Sequence, residues 1–513
     1  MFTATWFVCL GLVSALSLSV ARAADEPARK DEKAAEGSKE AKAKGKDDEK
    51  PVETKHKVMI GGREIPYTAR AGTIQLRDAE DKPTASIFYI AYTRDDDTNA
   101  ATRPLTFSFN GGPGSSSVWL HLGLLGPRRV VLEEDGRPLP PPYRLTDNEY
   151  SLLDETDLVF IDPVSTGYSR AAKPAEASKF HGVREDVASV GEFIRLYVTR
   201  HLRWASPKFI IGESYGTTRA AALSGELAGR HRMNVNGIML VSTVLNFQTI
   251  RFDQGNDLPY VLFLPSYTAT AWYHKKLPAD LQALKLEEVL AQAEAFAAGP
   301  YNTALLKGSA LTPEERKTLV RETARFTGLS ETYVERSNLR VPLHRFAREL
   351  LADENRVVGR FDSRYTGAIR DRVNDSMEYD PSGEAIFSVF ASTFNDYVRR
   401  ELKYESDLAY EILAGLGWNW GGNNQYLNVA ETLADSLTRN PFLQVHVSEG
   451  YYDLATPYFA SRYTFHHLGL DPALMTNITM DAYTAGHMMY VNLPDLKKQK
   501  ADLAKFLRGA TGR

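Results

Sequence analysis

The string Phe209-Ile210-Ile211-Gly212-Glu213-Ser214-Tyr215-Gly216 carries the clearest chemical signal in the chain. An apolar run ends in Gly-x-Ser-x-Gly, and apolar residues at helical spacing follow over 217–227. A strand, turn and helix of this kind form a nucleophile elbow. They present a serine at the carboxyl end of the strand, with glycines where the two backbones approach. A serine hydroxyl becomes a nucleophile only beside a base, and the base needs an acid to orient it. On such an elbow the acid and then the histidine follow the serine in the chain.

Seven histidines follow Ser214. His231 falls at the end of the elbow helix, His274 and His344 lie in a long helical stretch, and His446 lies inside a strand candidate. His466 and His467 sit in a helical pattern and read as surface or packing residues. His487, in Tyr483-Thr484-Ala485-Gly486-His487-Met488, occupies a glycine-punctuated loop and is the candidate base. The acid is expected after the strand candidate at 443–447, where Glu449 and Asp453 are available. Glu449 reads as the end of the strand. Thr456-Pro457 signals a helix start and leaves Asp453 in the loop, so Asp453 is the preferred acid. A further glycine-rich run, Asn110-Gly111-Gly112-Pro113-Gly114, follows the strand candidate at 105–109 and could bring backbone N–H groups close to the elbow as an oxyanion hole.

Strands alternating with helices must hold these residues. Residues 105–109, 158–161, 209–211, 238–241 and 443–447 read as short apolar strands, and 187–197 and 217–227 as helices. That alternation predicts an α/β class with a mostly parallel sheet and helices on both faces. Residues 58–60, 73–76 and 87–92, with Gly61-Gly62 as a turn, predict an antiparallel opening. Between 247 and 440 the pattern becomes mainly helical, for instance at 284–298 and 343–353. Because it lies between strand candidates, this stretch is expected to be an insertion capping the sheet over the serine. The core is then 57–246 with 441–513.

The 513 residues are 43% hydrophobic and 25% charged, enough for a large core. A net charge of −4 supplies no global field for nucleic acid or an anionic membrane. The single cysteine, Cys9, excludes an intramolecular disulfide, a zinc–thiolate cluster and a cysteine nucleophile in the body of the chain. Residues 1–23 have the form of a secretory signal: an apolar run over 6–20, then Ala21-Arg22-Ala23 as a cleavage site. The run is too short for a convincing membrane span. A secreted or periplasmic protein with no stable span after cleavage is expected. In 24–56, 19 of 33 residues are charged and Val52 is the only large aliphatic, so a disordered tether is expected, with folded sequence from Lys57. No metal-ligand spacing or dinucleotide fingerprint occurs, and neither a metal nor another cofactor is expected.

Taken in order, Asn110-Gly-Gly-Pro-Gly-Ser-Ser-Ser117, Gly126-Pro127, Asp162-Pro-Val-Ser-Thr-Gly-Tyr-Ser169, Gly212-Glu-Ser-Tyr-Gly216, Gly450-x-x-Asp453 and Gly486-His-Met488 resemble the serine carboxypeptidase family, on an α/β-hydrolase fold. The resemblance implies Ser214 as nucleophile, Asp453 as acid and His487 as base. It implies the backbone N–H groups of Gly112 and Tyr215 as the oxyanion hole. It also implies Asn110 and Glu213, with the Gly111 backbone, as the group that holds a substrate's terminal carboxylate. A carboxyl beside the nucleophile can hold a carboxylate only when protonated, since only then does it donate a hydrogen bond. Three positions depart from the family pattern. Ser115 replaces a disulfide-forming cysteine, Ser108 a tryptophan, and Leu124 a second glutamate that pairs with the one before the nucleophile. With its single cysteine inside the leader, the chain resembles a bacterial secreted or periplasmic member. The expected activity is removal of C-terminal residues from peptides or proteins through an acyl-enzyme. An esterase, amidase or acyltransferase using the same triad is the alternative, and an inactive hydrolase-fold binding protein a third. The sequence carries no signal for side-chain preference, because loops and the insertion shape that pocket.

Overall fold

The computed structural model describes residues 50–97, 99, 101–373 and 377–512. The leader, and the charged segment up to residue 49, lie outside the described residues. Strands β1 (Val52–Ile60), β2 (Arg63–Arg77) and β3 (Pro83–Arg94) form an antiparallel meander. Strands β4 (Leu105–Phe109), β5 (Asp157–Ile161), β6 (Lys208–Ser214), β7 (Gly237–Thr243), β8 (Gln444–Gly450) and β9 (Ile478–Tyr483) complete the sheet. Its order is β1-β2-β3-β5-β4-β6-β7-β8-β9, and a two-residue strand, Arg170–Ala171, also pairs with β3. Neighbours from β5 to β9 run parallel.

Residues alternate between the two faces, as the strand period requires. In β5, Leu158 and Phe160 join one core while Val159 and Ile161 join the other. Helices α1 (Val183–Arg200) and α2 (Tyr215–Gly229) cover the second face. In the insertion, α3 (Leu258–Tyr273) organises a separate apolar cluster that runs to Val358 and takes in Leu454. Helix α4 (Pro381–Arg400) packs Ile386, Phe390, Phe394 and Tyr397 onto the first face of the sheet, beside α6 (Leu493–Thr511).

Two expected boundaries move. β1 starts at Val52, inside the expected tether, and pairs Val52 through His56 with Ala71 through Tyr67. A half-exposed edge strand needs apolar residues on one face only, so charged Glu53, Lys55 and Lys57 occupy the exposed face while Val58 and Ile60 are buried. Charge density masked that alternation. The helical pattern also does not continue to 440 as one cap. Residues 405–429 run without a helix and bridge to Ser115, Gly167, Gly182 and Asn246. Helix α5 (Ala430–Arg439) buries Leu433 and Leu437 in the core that α1 and α2 cover.

Candidate active site

Ser214 ends β6 at φ 59° and ψ −129°. This is a left-handed conformation that costs a non-glycine residue about 1–3 kcal/mol and recurs at functional sites. The turn closes because its neighbours have no side chain. A Cβ on Gly212 would lie 2.1 Å from the Gly216 carbonyl, and one on Gly111 would lie 2.4 Å from the Tyr215 nitrogen. The Asn110–Gly114 run is thereby packed against the elbow.

A buried ion pair holds that run from behind. Arg219, one turn into α2, donates to the Asn110 carbonyl at 2.6 Å and to Asp186 at 2.8 Å. The Asn110 side-chain oxygen accepts from the Leu120 N–H at 3.1 Å, while its Nδ2 is buried without a hydrogen-bond partner. Ser115, in place of a cysteine, accepts from the Trp119 indole at 2.8 Å, and the neighbouring Ser116 N–H donates to the Ile412 carbonyl. Polar contacts therefore fasten this loop. Among the described residues the buried Ser108 hydroxyl has no hydrogen-bond partner, and Leu124 is buried in the apolar core.

His487 follows β9, and its Nδ1 lies 2.7 Å from Asp453 Oδ2. Asp453 is fully buried and accepts from Ala455 N at 2.7 Å, Thr456 N at 2.9 Å and Thr456 Oγ1 at 2.8 Å. Glu449 instead pairs with Arg462 at 3.1 Å. His466 is exposed at its helix end, His467 stacks on Tyr463, and His446 is buried against Thr479. The insertion holds the histidine loop. The Phe361 carbonyl accepts the His487 N–H at 2.6 Å, and Asp362 accepts the Gly486 N–H at 3.0 Å. Asn110, Gly111, Gly112, Glu213, Ser214 and His487 line one cleft of about 200 Å³, closed by Phe361, Ile386, Phe387 and Leu413 from the inserted segment. Ser214 and His487 are not hydrogen-bonded to each other, and contacts of this kind commonly tighten only around substrate.

Burial pushes the Glu213 carboxyl up to about 7, helped by the nearby Asp453 charge and opposed by His487, Tyr490 and Asn110. Burial alone would lower His487. The Asp453 carboxylate, with Glu213, outweighs it and the net direction is up. The Tyr490 hydroxyl donates to Glu213 Oε2 at 2.5 Å. Sequence reasoning missed Tyr490, three residues after His487, and missed the Arg219–Asp186 pair. A buried tyrosine, arginine or aspartate is common enough that spacing alone does not mark it.

The sheet order, the strained serine at the end of β6 and the His487–Asp453 pair define an α/β-hydrolase fold with a serine-centred site. The serine carboxypeptidase family model matches residues 63–493, and the chain belongs to that family. It is 28% identical over 184 residues to serine carboxypeptidase-like 45 of Arabidopsis thaliana, covering 33% of this chain and 36% of the relative. It is 35% identical over 176 residues to the pheromone-processing carboxypeptidase KEX1 of Saccharomyces cerevisiae, covering 31% of this chain and 23% of the relative. These matches span about a third or less of the curated relatives' length. The crystal structure of the yeast prohormone-processing carboxypeptidase KEX1 superposes with a TM-score of 0.53 at 17% identity, covering 86% of this chain and 91% of that one, which supports the common fold.

Proposed function

We propose that the protein is a serine-type carboxypeptidase that hydrolyses the C-terminal bond of peptides through an acyl-enzyme. Ser214 Oγ attacks the scissile carbonyl and its proton passes to His487 Nε2. Asp453 holds the opposite ring N–H and stabilises the imidazolium. The N–H groups of Gly112 and Tyr215 receive the carbonyl oxygen as it becomes an oxyanion. His487 then protonates the leaving amine, and water repeats the sequence on the acyl-serine.

The observation that carries the exopeptidase reading is a pair of buried donors beside the serine. Asn110 Nδ2 is close enough to Glu213 to act on its charge but makes no hydrogen bond at normal distance among the described residues, and burial pushes the Glu213 carboxyl up to about 7. Tyr490 occupies Glu213 Oε2, which leaves the other oxygen to carry the proton toward a substrate carboxylate. An esterase, amidase or acyltransferase acting on substrates without a free carboxylate has no use for that pair, although the same acyl-enzyme would serve it. The leader pattern at 1–23 supports a secreted or periplasmic location. Among the described residues no helix is long and apolar enough to cross a membrane.

A fluorophosphonate probe tests the nucleophile. Ser214 should be the labelled residue by peptide mapping, and His487→Ala should slow labelling by orders of magnitude. Labelling at another serine, or at an unchanged rate in His487→Ala, would refute the assignment.

A further inference from the structure

Arg360 enters the cleft from the inserted segment, alongside Asn110, Glu213, Ser214 and His487. Its backbone is held on both sides. Its N–H donates to Asp380 Oδ1 at 3.1 Å, and its carbonyl accepts from Leu454 N at 3.1 Å. The next residue, Phe361, accepts the His487 N–H. The position of Arg360 relative to the catalytic groups is therefore fixed by main-chain bonds.

Its side chain stands apart from the other enclosed arginines. Arg103 pairs with Asp157 at 3.1 Å and also donates to the Leu153 and Asp154 carbonyls. Arg219 pairs with Asp186 and donates to the Asn110 carbonyl. Arg364 pairs with Asp362 at 2.6 Å and donates to the Thr484 carbonyl. Among the described residues the Arg360 guanidinium makes no ion pair or hydrogen bond, and it lies over the Phe361 ring, 5.2 Å from its centroid. Asp453 and Asp380 act on its charge only from beyond ion-pair distance. Burial pushes its pKa down, as expected of a cation without an adjacent anion. Arg360 is half-buried on the cleft lining, so its guanidinium can be reached by a carboxylate that enters and forms a charge-assisted pair with it. The guanidinium is a planar fork of five donors, shaped for two-point contact with a carboxylate.

We infer that Arg360 is a recognition residue for a carboxylate of the bound peptide, supplied by the inserted segment and separate from the Asn110–Glu213 pair. The inference rests on the carboxypeptidase reading. The carboxylate has two possible sources, the free C-terminus and an acidic side chain flanking the scissile bond. Arg360 brings a permanent charge to the cleft, whereas Glu213 contributes only while protonated. Recognition by Arg360 therefore persists above the pH at which Glu213 ionises.

Calorimetry on Ser214→Ala and on Ser214→Ala combined with Arg360→Met or Arg360→Lys tests the inference without turnover. Four ligands separate the sources: N-blocked Ala-Ala as free acid and as amide, and N-blocked Glu-Ala and Ala-Glu as amides. Arg360→Met should weaken at least one carboxylate-bearing ligand about 10-fold or more and leave the neutral amide unchanged. Arg360→Lys, which keeps the charge and loses the fork, should fall between. A loss confined to the free acid identifies the α-carboxylate, and one confined to the glutamyl amides identifies the side chain. Equal loss for all four ligands, or none, overturns the inference. The Arg360 charge lowers the His487 pKa, so fluorophosphonate labelling of Arg360→Met with intact Ser214 is compared on the high-pH plateau, where His487 is neutral in both proteins; a slower reaction there would mean that Arg360 positions His487 and overturns the inference. Should the wild type bind the free acid through Arg360 yet never hydrolyse it, the carboxypeptidase reading fails while the binding site stands.

Discussion

The cleft has two walls, built under different constraints. The wall from β4, β6 and the loops after β8 and β9 carries Asn110, Gly111, Gly112, Glu213, Ser214, Asp453 and His487. Backbone closeness dictates its residue types: Gly111, Gly212 and Gly486 each sit where a Cβ would lie within 2.5 Å of another main-chain atom. The opposite wall, from the insertion, carries Arg360, Phe361, Ile386, Phe387 and Leu413. Its side chains face the cleft without such restriction. In the proposed reading the first wall serves the chemistry, and the second the recognition of what is bound.

Mutation on the first wall should therefore abolish turnover, and mutation on the second should redistribute it. Ser214→Ala, His487→Ala and Asp453→Asn should each lower kcat by about 10⁴-fold or more, with the Ser214→Ala, His487→Ala double variant little worse than Ser214→Ala alone. Single-turnover and steady-state kinetics check this. Full activity in His487→Ala would return the base to His466 or His467 and dissolve the distinction between the walls.

Gly486→Ala is the next largest effect. Its Cβ would lie 2.3 Å from the Phe361 carbonyl and 2.6 Å from Asp362, so the loop carrying His487 must shift against the insertion. A loss in kcat of about 100-fold, with the fold retained by circular dichroism, is expected from a displacement near 1 Å.

The same contrast explains what the sequence could reveal. Gly212-x-Ser214-x-Gly216, Asn110–Gly114 and Gly486-His487 were legible because close backbone approach admits few residue types. The parallel strands were legible because, buried on both faces, they read as unbroken apolar runs such as 209–211. Arg360 and Phe361 were not legible: nothing in Gly359-Arg360-Phe361 indicates that the segment lies beside His487 until the chain is folded. Tyr490 escaped notice for the same reason. The opening strand escaped because Lys55 and Glu53 alternate with Val52 and Thr54 within a charged tract, and only pairing with β2 makes that alternation meaningful.

Glu213 links the two walls to pH. A carboxyl with its pKa raised to about 7 is a donor below that pH and an anion above it. Peptide KM should rise as pH increases through about 7, by up to about 10-fold per unit beyond it. His487 must be neutral to act as base, and its raised pKa delays that as pH rises, so kcat/KM should pass through a narrow maximum. Glu213→Gln keeps a neutral donor at every pH and should flatten the peptide KM profile, leaving an ester without a free carboxylate unaffected. Matching peptide profiles in wild type and Glu213→Gln would remove Glu213 from carboxylate recognition. Tyr490→Phe is a smaller test. The tyrosine hydrogen bond favours the ionised carboxylate, so its loss should raise the Glu213 pKa and extend peptide capture to higher pH, about 3-fold in KM at pH near 8.

The smallest expected effect lies far from the cleft. A chain beginning at Lys50 keeps all of β1, whereas one beginning at Lys57 loses the pairing of Val52 through His56 with β2 and the stacking of His56 on Tyr67. The shorter chain should melt about 2 °C or more below the longer one, with the same kcat. Equal melting temperatures would show that the first half of β1 contributes nothing to stability.

The central claim, that the first wall removes residues from a free C-terminus, is tested most directly by mass spectrometry of peptide digests over time. The substrates are one peptide with a free C-terminus and the same peptide amidated, each incubated with wild type and with Ser214→Ala. A stepwise ladder from the free C-terminus, strongly slowed on the amide and absent with Ser214→Ala, is the predicted result. Internal cleavage, equal rates on the free and amidated peptides, or a ladder that survives Ser214→Ala would contradict it.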